Sequence, residues 1–325
     1  MEQSGKTTRA DKHRKKQRSK WRFILPVFLI LMAAAFGLAY FQYKQGVNQS
    51  LKKIEKEKTP LAANIPKIEY KFSGQKDQYG DTNILLLGSD ARNKDEASRS
   101  DTIMIVHYNE DKGTFKLTSI MRDSYVDIPG HGKHKINAAF AYGGPDLLRK
   151  TIKQNFGIDL QYYAIIDFQG FVQLIDEAFP NGVEINVEKK MSKNIYMTLE
   201  PGLQRLNGTQ LLGYVRFRHD AIGDFGRVQR QQMAVNAIKE QLSGFQTIAK
   251  LPKLIGVVSP YVNTNIHPSD ALFIGKSFLN KNGKMETLRI PVENSFTEPI
   301  IKGEGQVLEL DVEKNREALR QFITK

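Results

Sequence analysis

Residues 23–43 read FILPVFLILMAAAFGLAYFQY, 21 positions without one charged side chain. No other stretch limits the possible architectures so strongly. At 1.5 Å of rise per residue, a helix of that length spans roughly 30 Å, the thickness of a bilayer's hydrocarbon core. Trp21 borders the run on one side and Tyr40, Phe41 and Tyr43 close it on the other, as interfacial aromatic residues do. Pro26 falls in the first turn, where its missing N–H is harmless. Residues 1–22 carry five Lys and four Arg against Glu2 and Asp11, which is +7 of the chain's formal +13. The positive-inside rule puts that tail in the cytoplasm and the rest of the 325 residues outside. A cleaved signal peptide is the alternative, since Ala33, Ala34 and Ala35 could serve a peptidase. The apolar run continues for eight residues past them, which favours an uncleaved single-pass signal-anchor. The membrane already accounts for the basic tail, so no nucleic-acid partner is expected.

The expected organisation is therefore a basic cytoplasmic tail over 1–22, a transmembrane helix over 23–43, an extracytoplasmic stalk over 44–78 and a catalytic domain over 79–325. The stalk is charged and broken by Pro60 and Pro66. There is no cysteine, which excludes disulfides and thiolate metal sites.

Within the outer domain, NILLLG at 83–88 and TIMIVHY at 102–108 are short apolar runs bounded by turn residues, and TFKLTSI at 114–120 alternates; all three read as strands. Their spacing predicts an antiparallel meander. The end of the first strand, the start of the second and the end of the third then meet on one rim, which carries Asp90, Asp101, Arg122 and Asp123. Further strands are expected at 162–168, 182–187 and 286–291. Helices are expected at 145–156, late in 168–179, at 207–215, from Asp224 to Leu242, at 269–279 and at 312–322. Strands mixed with helices give an α/β fold: a mixed central sheet covered by helices on both faces, three layers α-β-α, behind one N-terminal transmembrane helix.

The segment YVRFRHDAIGDFGRVQRQ, 214–231, holds four arginines and no lysine, in a chain with 12 Arg and 27 Lys beyond its basic tail. Guanidinium is planar and forks onto phosphate or carboxylate oxygens in pairs, which lysine does not do. In an extended YVRFR, Arg216 and Arg218 share one face while Val215 and Phe217 point inward. On the following helix Arg227 and Arg230 are three apart, near the end that attracts anions. Structural ion pairs with Asp220 and Asp224 are the bland alternative. The other rim mixes acids with arginines, in GSDARNKDEASRSDT and SIMRDS. Acids alone would suggest a metal and arginines alone an anion. Together they suggest a polyphosphate with Mg²⁺ bridging it to carboxylates.

Other motifs carry less. HGKH, with His131 and His134, has no third metal ligand and reads as a solvated loop. AYGGPD lacks the Lys-Ser/Thr of a P-loop, and no Gly-x-Ser-x-Gly is present.

Five ordered segments between residues 83 and 231 resemble the LytR-CpsA-Psr family of cell-wall ligases: NILLLGSD, RSDTIMIV, SIMRDSYVDIPG, KINAAFAYGG and YVRFRHDAIGDFGRVQRQ. Met121 departs from that pattern, which has proline before the Arg-Asp pair. The resemblance implies a membrane-anchored phosphotransferase that moves a glycopolymer, typically wall teichoic acid, from undecaprenyl pyrophosphate onto peptidoglycan. It implies an apolar groove for the polyprenyl chain and a Gram-positive cell membrane as the location. By position it implies Mg²⁺, or Mn²⁺ in its place, on Asp90 and Asp101, and pyrophosphate contacts from Arg92, Arg122, Arg216, Arg218 and Arg227. Arg99, Arg230 and Gln231 stand in the same segments and join the candidate set. Arg122, Arg216 and Arg218 are expected to stabilise developing charge. Asp101, Asp123 or Asp224 would be the base, a choice the sequence leaves open. Two other readings share this site: a lipid pyrophosphate phosphatase that uses water, and a non-catalytic polyprenyl-phosphate-binding regulator.

Overall fold

The computed structural model describes residues 9–56, 69–89, 100–242, 245–280 and 285–325. Helix α1 (Arg9–Lys56) is a single 48-residue element that contains the whole apolar run. Among the described residues no helix is long and apolar enough to cross a membrane, and the side chains of 23–31 lie outside the described set.

The central sheet has six strands: β1 (Thr82–Ser89), β2 (Thr102–Asn109), β3 (Thr114–Ile120), β6 (Tyr162–Asp167), β9 (Val262–Thr264) and β10 (Glu286–Ile290), in the order β10-β3-β2-β1-β6-β9. β1, β2 and β3 form the expected antiparallel meander, while β6 runs parallel to β1 and β10 parallel to β3. Alternation along the strands splits their side chains between two cores. Leu85, Leu87, Ile103 and Ile105 pack with Leu148 and Ile152 of α2 (Ile136–Phe156) and Leu319 of α8 (Val312–Thr324). Leu86, Met104, Val106 and Leu117 face the other way, onto Val235 of α5 (Gly223–Gln241) and Ile274 and Phe278 of α7 (Pro268–Asn280). Both faces are covered, which explains why β1 reads as a continuous apolar run.

The remaining elements frame this sandwich. β4 (Ser124–Ile128) and β5 (Gly132–Lys135) form a hairpin in a small sheet with β14 (Leu308–Leu310) and β11 (Phe296–Thr297). β7 (Val183–Val187) pairs with β8 (Gly202–Leu206), and β12 (Ile300–Ile301) with β13 (Gly305–Gln306). Helices α3 (Phe168–Ala178), α4 (Gly208–Arg216) and α6 (Phe245–Val258) complete the chain. A third core joins α3, α4, β7 and β8 around Ile175, Val183, Leu211 and Tyr214.

Four expectations change. The 145–156 helix is the second half of α2; an earlier half starts at Ile136, and the two are broken by non-helical Gly143 and Gly144. The helix expected late in 168–179 begins at Phe168 itself, capped by Asp167, whose side chain accepts from Gly170 N–H. Residues 131–133 are exposed, as a solvated segment would be, but they form the turn and first strand residues of the β4–β5 hairpin; His134 Nδ1 is 2.6 Å from Glu304 and the His131 ring stacks on Tyr142. The described parts of the 44–78 segment are not a free stalk. Tyr70 and Phe72 pack on the main core, and α1 docks on α6.

A candidate active site at one end of the central sheet

The meander register pairs Gly88 with Thr102 and Ile103 with Ile120, so the end of β1, the start of β2 and the end of β3 share one rim. Asp101 immediately precedes β2, and Arg122 and Asp123 follow β3. Helix α5 reaches the same rim from below. An Arg227 terminal nitrogen donates to the Asp101 carbonyl at 3.1 Å, and Gln231 Nε2 donates to Thr102 Oγ1 at 3.0 Å. Between them lies a cavity of about 160 Å³, lined by Gly88, Asp101, Thr102, Arg122, Phe168, Lys193, Asn194, Arg216, Arg218, His219, Arg227 and Gln231. Two segments more than ninety residues apart thus face one space. Among the described residues five cationic side chains line it against the single carboxylate of Asp101. That surplus suits a polyanion.

Arg216 and Arg218 reach the cavity by a route different from the extended strand expected. Arg216 is the last residue of α4, whose start is held by a capping box between Asn207 and Gln210. Phe217 leaves the helix with φ −62° and ψ 132° and buries its ring, so the chain turns and Arg218 emerges beside Arg216. The Arg216 guanidinium lies 4.4 Å from the Phe168 ring centroid, a cation–π contact that fixes its plane.

Arg227 and Arg230 also part company. Positions three apart diverge by about 60° around a helix, positions four apart by about 40°. The cavity-facing pair is therefore Arg227 with Gln231. Arg230 is 1% exposed, ion-paired with Asp220 and with Glu188 at 2.7 Å, and it donates to the Phe217 carbonyl at 2.8 Å. Its guanidinium is used up within the fold, so its assignment to pyrophosphate binding is corrected. For this arginine the ion-pair alternative holds.

The charges at the rim are crowded. Arg122 contacts Asp101 and lies 3.4 Å from Asp123 and 3.9 Å from Asp224. Burial works against its charge, but Asp224, Asp101 and Asp123 together hold its pKa above the usual guanidinium range. Arg227 is shifted the other way. Burial dominates, and the Arg122 and Arg218 charges add to it against Asp224 and Asp101. Asp224 Oδ1 is 2.8 Å from Arg227, yet neither Asp224 oxygen meets hydrogen-bond geometry, and the buried Nε atoms of Arg122 and Arg227 have no partner. Buried polar groups left unmade cost ~1–3 kcal/mol each, so these atoms call for a water, an ion or a ligand that the described side chains do not supply. The three candidate bases differ. Asp123 is also held by Lys135 at 3.0 Å, Asp224 is buried against two arginines, and only Asp101 lines the cavity. Asp90, Arg92 and Arg99 lie outside the described residues.

Met121, where the family pattern has proline, is buried against Val228 and Leu308 and donates its N–H to the Ile290 carbonyl at 2.9 Å. Proline could not make that bond.

Three lining residues stand outside the candidate segments. Phe168 lies where a strand gives way to a helix. Lys193 and Asn194 come from the β7–β8 connection, which carries no motif. Asn194 and Tyr196 both adopt left-handed backbone, φ 62° and 58°, on either side of buried Ile195. Asn194 Nδ2 donates to His219 Nε2.

A larger cavity of about 210 Å³ opens at the opposite end of the sheet, lined by Asp81, His107, Asn109, Lys116, Lys239 and Glu286 among others. The candidate chemistry is not there: Asn109 donates to Asp81 at 2.7 Å, both His107 nitrogens are engaged by Asn83 and Thr118, and Lys116 donates to the Phe322 carbonyl.

The sequence profile of the LytR_cpsA_psr family matches residues 38–321. The chain belongs to the LytR-CpsA-Psr family. Its relatives include the regulatory protein MsrR of Staphylococcus aureus, 47% identical over 255 residues that make up 78% of each chain. Another is the polyisoprenyl-teichoic acid–peptidoglycan teichoic acid transferase TagU of Oceanobacillus iheyensis, 30% identical across 93% of this chain and 91% of that one. Among solved structures, the family protein YwtF (TagT) with bound octaprenyl pyrophosphate lipid superposes with a TM-score of 0.56 at 26% identity, over 80% of this chain and 96% of that one. The mixed sheet and its flanking helices are thus the LytR-CpsA-Psr fold.

Proposed function

We propose that the protein is a phosphotransferase that moves a glycopolymer, wall teichoic acid by preference, from a polyprenyl pyrophosphate onto peptidoglycan at the outer face of the cell membrane. One observation carries this reading: among the described residues five cations and the exposed carboxylate of Asp101 line one small cavity, and the buried Nε atoms of Arg122 and Arg227 make no hydrogen bond there. The relatives support it, since TagU is named for this transfer and YwtF (TagT) holds a polyprenyl pyrophosphate.

In the reaction, an acceptor hydroxyl of the peptidoglycan glycan attacks the phosphorus that carries the polymer. The bridging P–O bond of the pyrophosphate breaks, and polyprenyl monophosphate leaves. Asp101 takes the acceptor proton, being the candidate base with access to the cavity. Arg122, Arg216, Arg218 and Arg227 stabilise the charge that builds on the bridging and leaving oxygens. Arg122, Arg216 and Arg227 are fixed beforehand by Asp101, by the Phe168 ring and by the Asp101 carbonyl respectively, so little reorganisation is needed as the charge appears. The carboxylate of Asp101 at the rim is a hard oxygen donor of the kind Mg²⁺ prefers. Asp101, with Asp90 as its partner by sequence, would hold the ion. Bound there, Mg²⁺ would neutralise phosphate charge. Among the described residues no three potential ligands cluster.

The test is transfer of labelled polymer from a lipid pyrophosphate to peptidoglycan, with alanine at Arg122, Arg216 and Arg218 and Asp101→Asn. Each alanine should lower the rate ~10²–10³-fold, as loss of one oxyanion donor does. Near-wild-type turnover in all three would end the proposal. Release of free phosphate without incorporation would favour the phosphatase. Binding without turnover would favour a regulator, the word in MsrR's name.

A further inference from the structure

Helix α1 does not stop where its apolar run ends. It continues for thirteen residues beyond Tyr43, to Lys56, and packs along α6. The crossing is built from two glycines. A Cβ on Gly46 would overlap the Lys253 carbonyl oxygen, and one on Gly256 would overlap the Tyr43 carbonyl oxygen. Glycine at both positions lets the two backbones touch, as in closely packed membrane helices. Ser50, 3% exposed, donates to the Val257 carbonyl at 2.6 Å, and Ile54 is buried one turn further on.

The contact extends to α3. Lys53 donates to Gln173, Gln49 donates to Glu177 at 2.7 Å, and Glu177 pairs with Lys253 of α6. Helix α3 starts at Phe168, the ring beneath Arg216 in the cavity. One 11-residue helix therefore has its first residue in the cavity and its later turns clamped to α1.

We propose that residues 43–54 of α1 are a positioning element: docked on α6 and α3, they lock the cavity at a fixed height above the bilayer, so that the enzyme favours a pyrophosphate donor embedded in the membrane plane over a soluble one. This inference rests on the transferase reading and on the anchor at 23–43. Gly46 and Gly256 touch no substrate; they act through α3. A flexible stalk would let the domain sample many heights and bind soluble donors equally well. A docked helix matches the cavity to one depth, and misplacement of reacting groups by about 1 Å can cost ~10²-fold in rate.

The test uses the full chain in lipid nanodiscs, with two donors: one carrying a long prenyl chain embedded in the disc, and a water-soluble analogue with a short chain. Gly256→Leu should lower transfer from the embedded donor about tenfold or more, while transfer from the soluble donor stays within about twofold. The double change Gln49→Ala, Lys53→Ala leaves the buried crossing intact and should show the same split, more weakly. Equal losses with both donors would make the contact merely structural, and no loss with either would also overturn the proposal. The absence of native cysteine permits spin labels at Gln45→Cys and Lys302→Cys. The wild-type chain should give one narrow distance and Gly256→Leu a broad one; a broad distribution in the wild type contradicts the proposal. If the wild type transfers from neither donor, the transferase reading fails, and the label distances still decide the docking.

Discussion

At one end of the central sheet, polar groups are buried and fully bonded. His107 Nδ1 lies 2.6 Å from Asn83 Oδ1 and its Nε2 2.9 Å from Thr118 Oγ1. Asn83 Nδ2 is in turn held by Asp77 and by the Asp159 carbonyl at 2.8 Å, which fixes the amide and hence the imidazole tautomer. Lys116 donates to the Phe322 carbonyl at 2.6 Å. At the other end, the Nε atoms of Arg122 and Arg227 and both Asp224 oxygens are held by charge alone, without a hydrogen bond, and among the described residues Arg216 and Arg218 pair with no carboxylate. The bonded end is the larger cavity, and the unbonded end is the smaller. Size does not separate structure from function here; bonding does. A saturated network rigidifies a fold, whereas one left open keeps its energy for a ligand.

If this contrast is right, arginines at the two kinds of site should fail differently. Arg230→Ala leaves Asp220, which is 5% exposed, with Lys189 alone at 3.4 Å, and should cost about 3–5 kcal/mol of stability, read as a large drop in Tm. Arg218→Ala should leave Tm nearly unchanged and lower transfer ~10²–10³-fold. A variant of Arg218 that melts early with normal turnover would erase the distinction.

The saturated end makes its own prediction. Burial, with the Lys116 charge second, lowers the His107 pKa to about 3. An unfolded histidine titrates near pH ~6.5, so between there and about 3 the unfolded chain binds the extra proton. Stability should therefore fall as the pH drops through that window, with a slope of up to ~1.4 kcal/mol per pH unit from this residue alone. His107→Gln should flatten this part of the urea-unfolding profile; an unchanged slope would show that another group carries it. The smallest effects are expected on the wall formed by Lys193 and His219. Alanine there should raise KM a few-fold and spare kcat, because these groups add binding without reorganising the charged centre.

Much of this was legible in the chain. The meander followed from three short runs and one five-residue turn, and it placed Asp101 and Arg122 on one rim. The scarcity of arginine elsewhere pointed to 214–231. Alternation misled at YVRFR, because the capping box at Asn207 and Gln210 carries α4 through Arg216, and only the break at Phe217 turns the chain. Nothing in sequence separated Arg227 from Arg230, since the carboxylates that claim Arg230 include Glu188, 42 residues away. The docked half of α1 read as a stalk because its signal is two glycines on different helices, which periodicity does not register.

The most direct measurement is the position of the phosphorus atoms in a crystal of the protein with a polyprenyl pyrophosphate. The account predicts both between Arg122, Arg216, Arg218 and Arg227, within hydrogen-bond reach of the guanidinium groups. A head group seated instead among Lys116, Lys239 and His107 at the opposite end would contradict it.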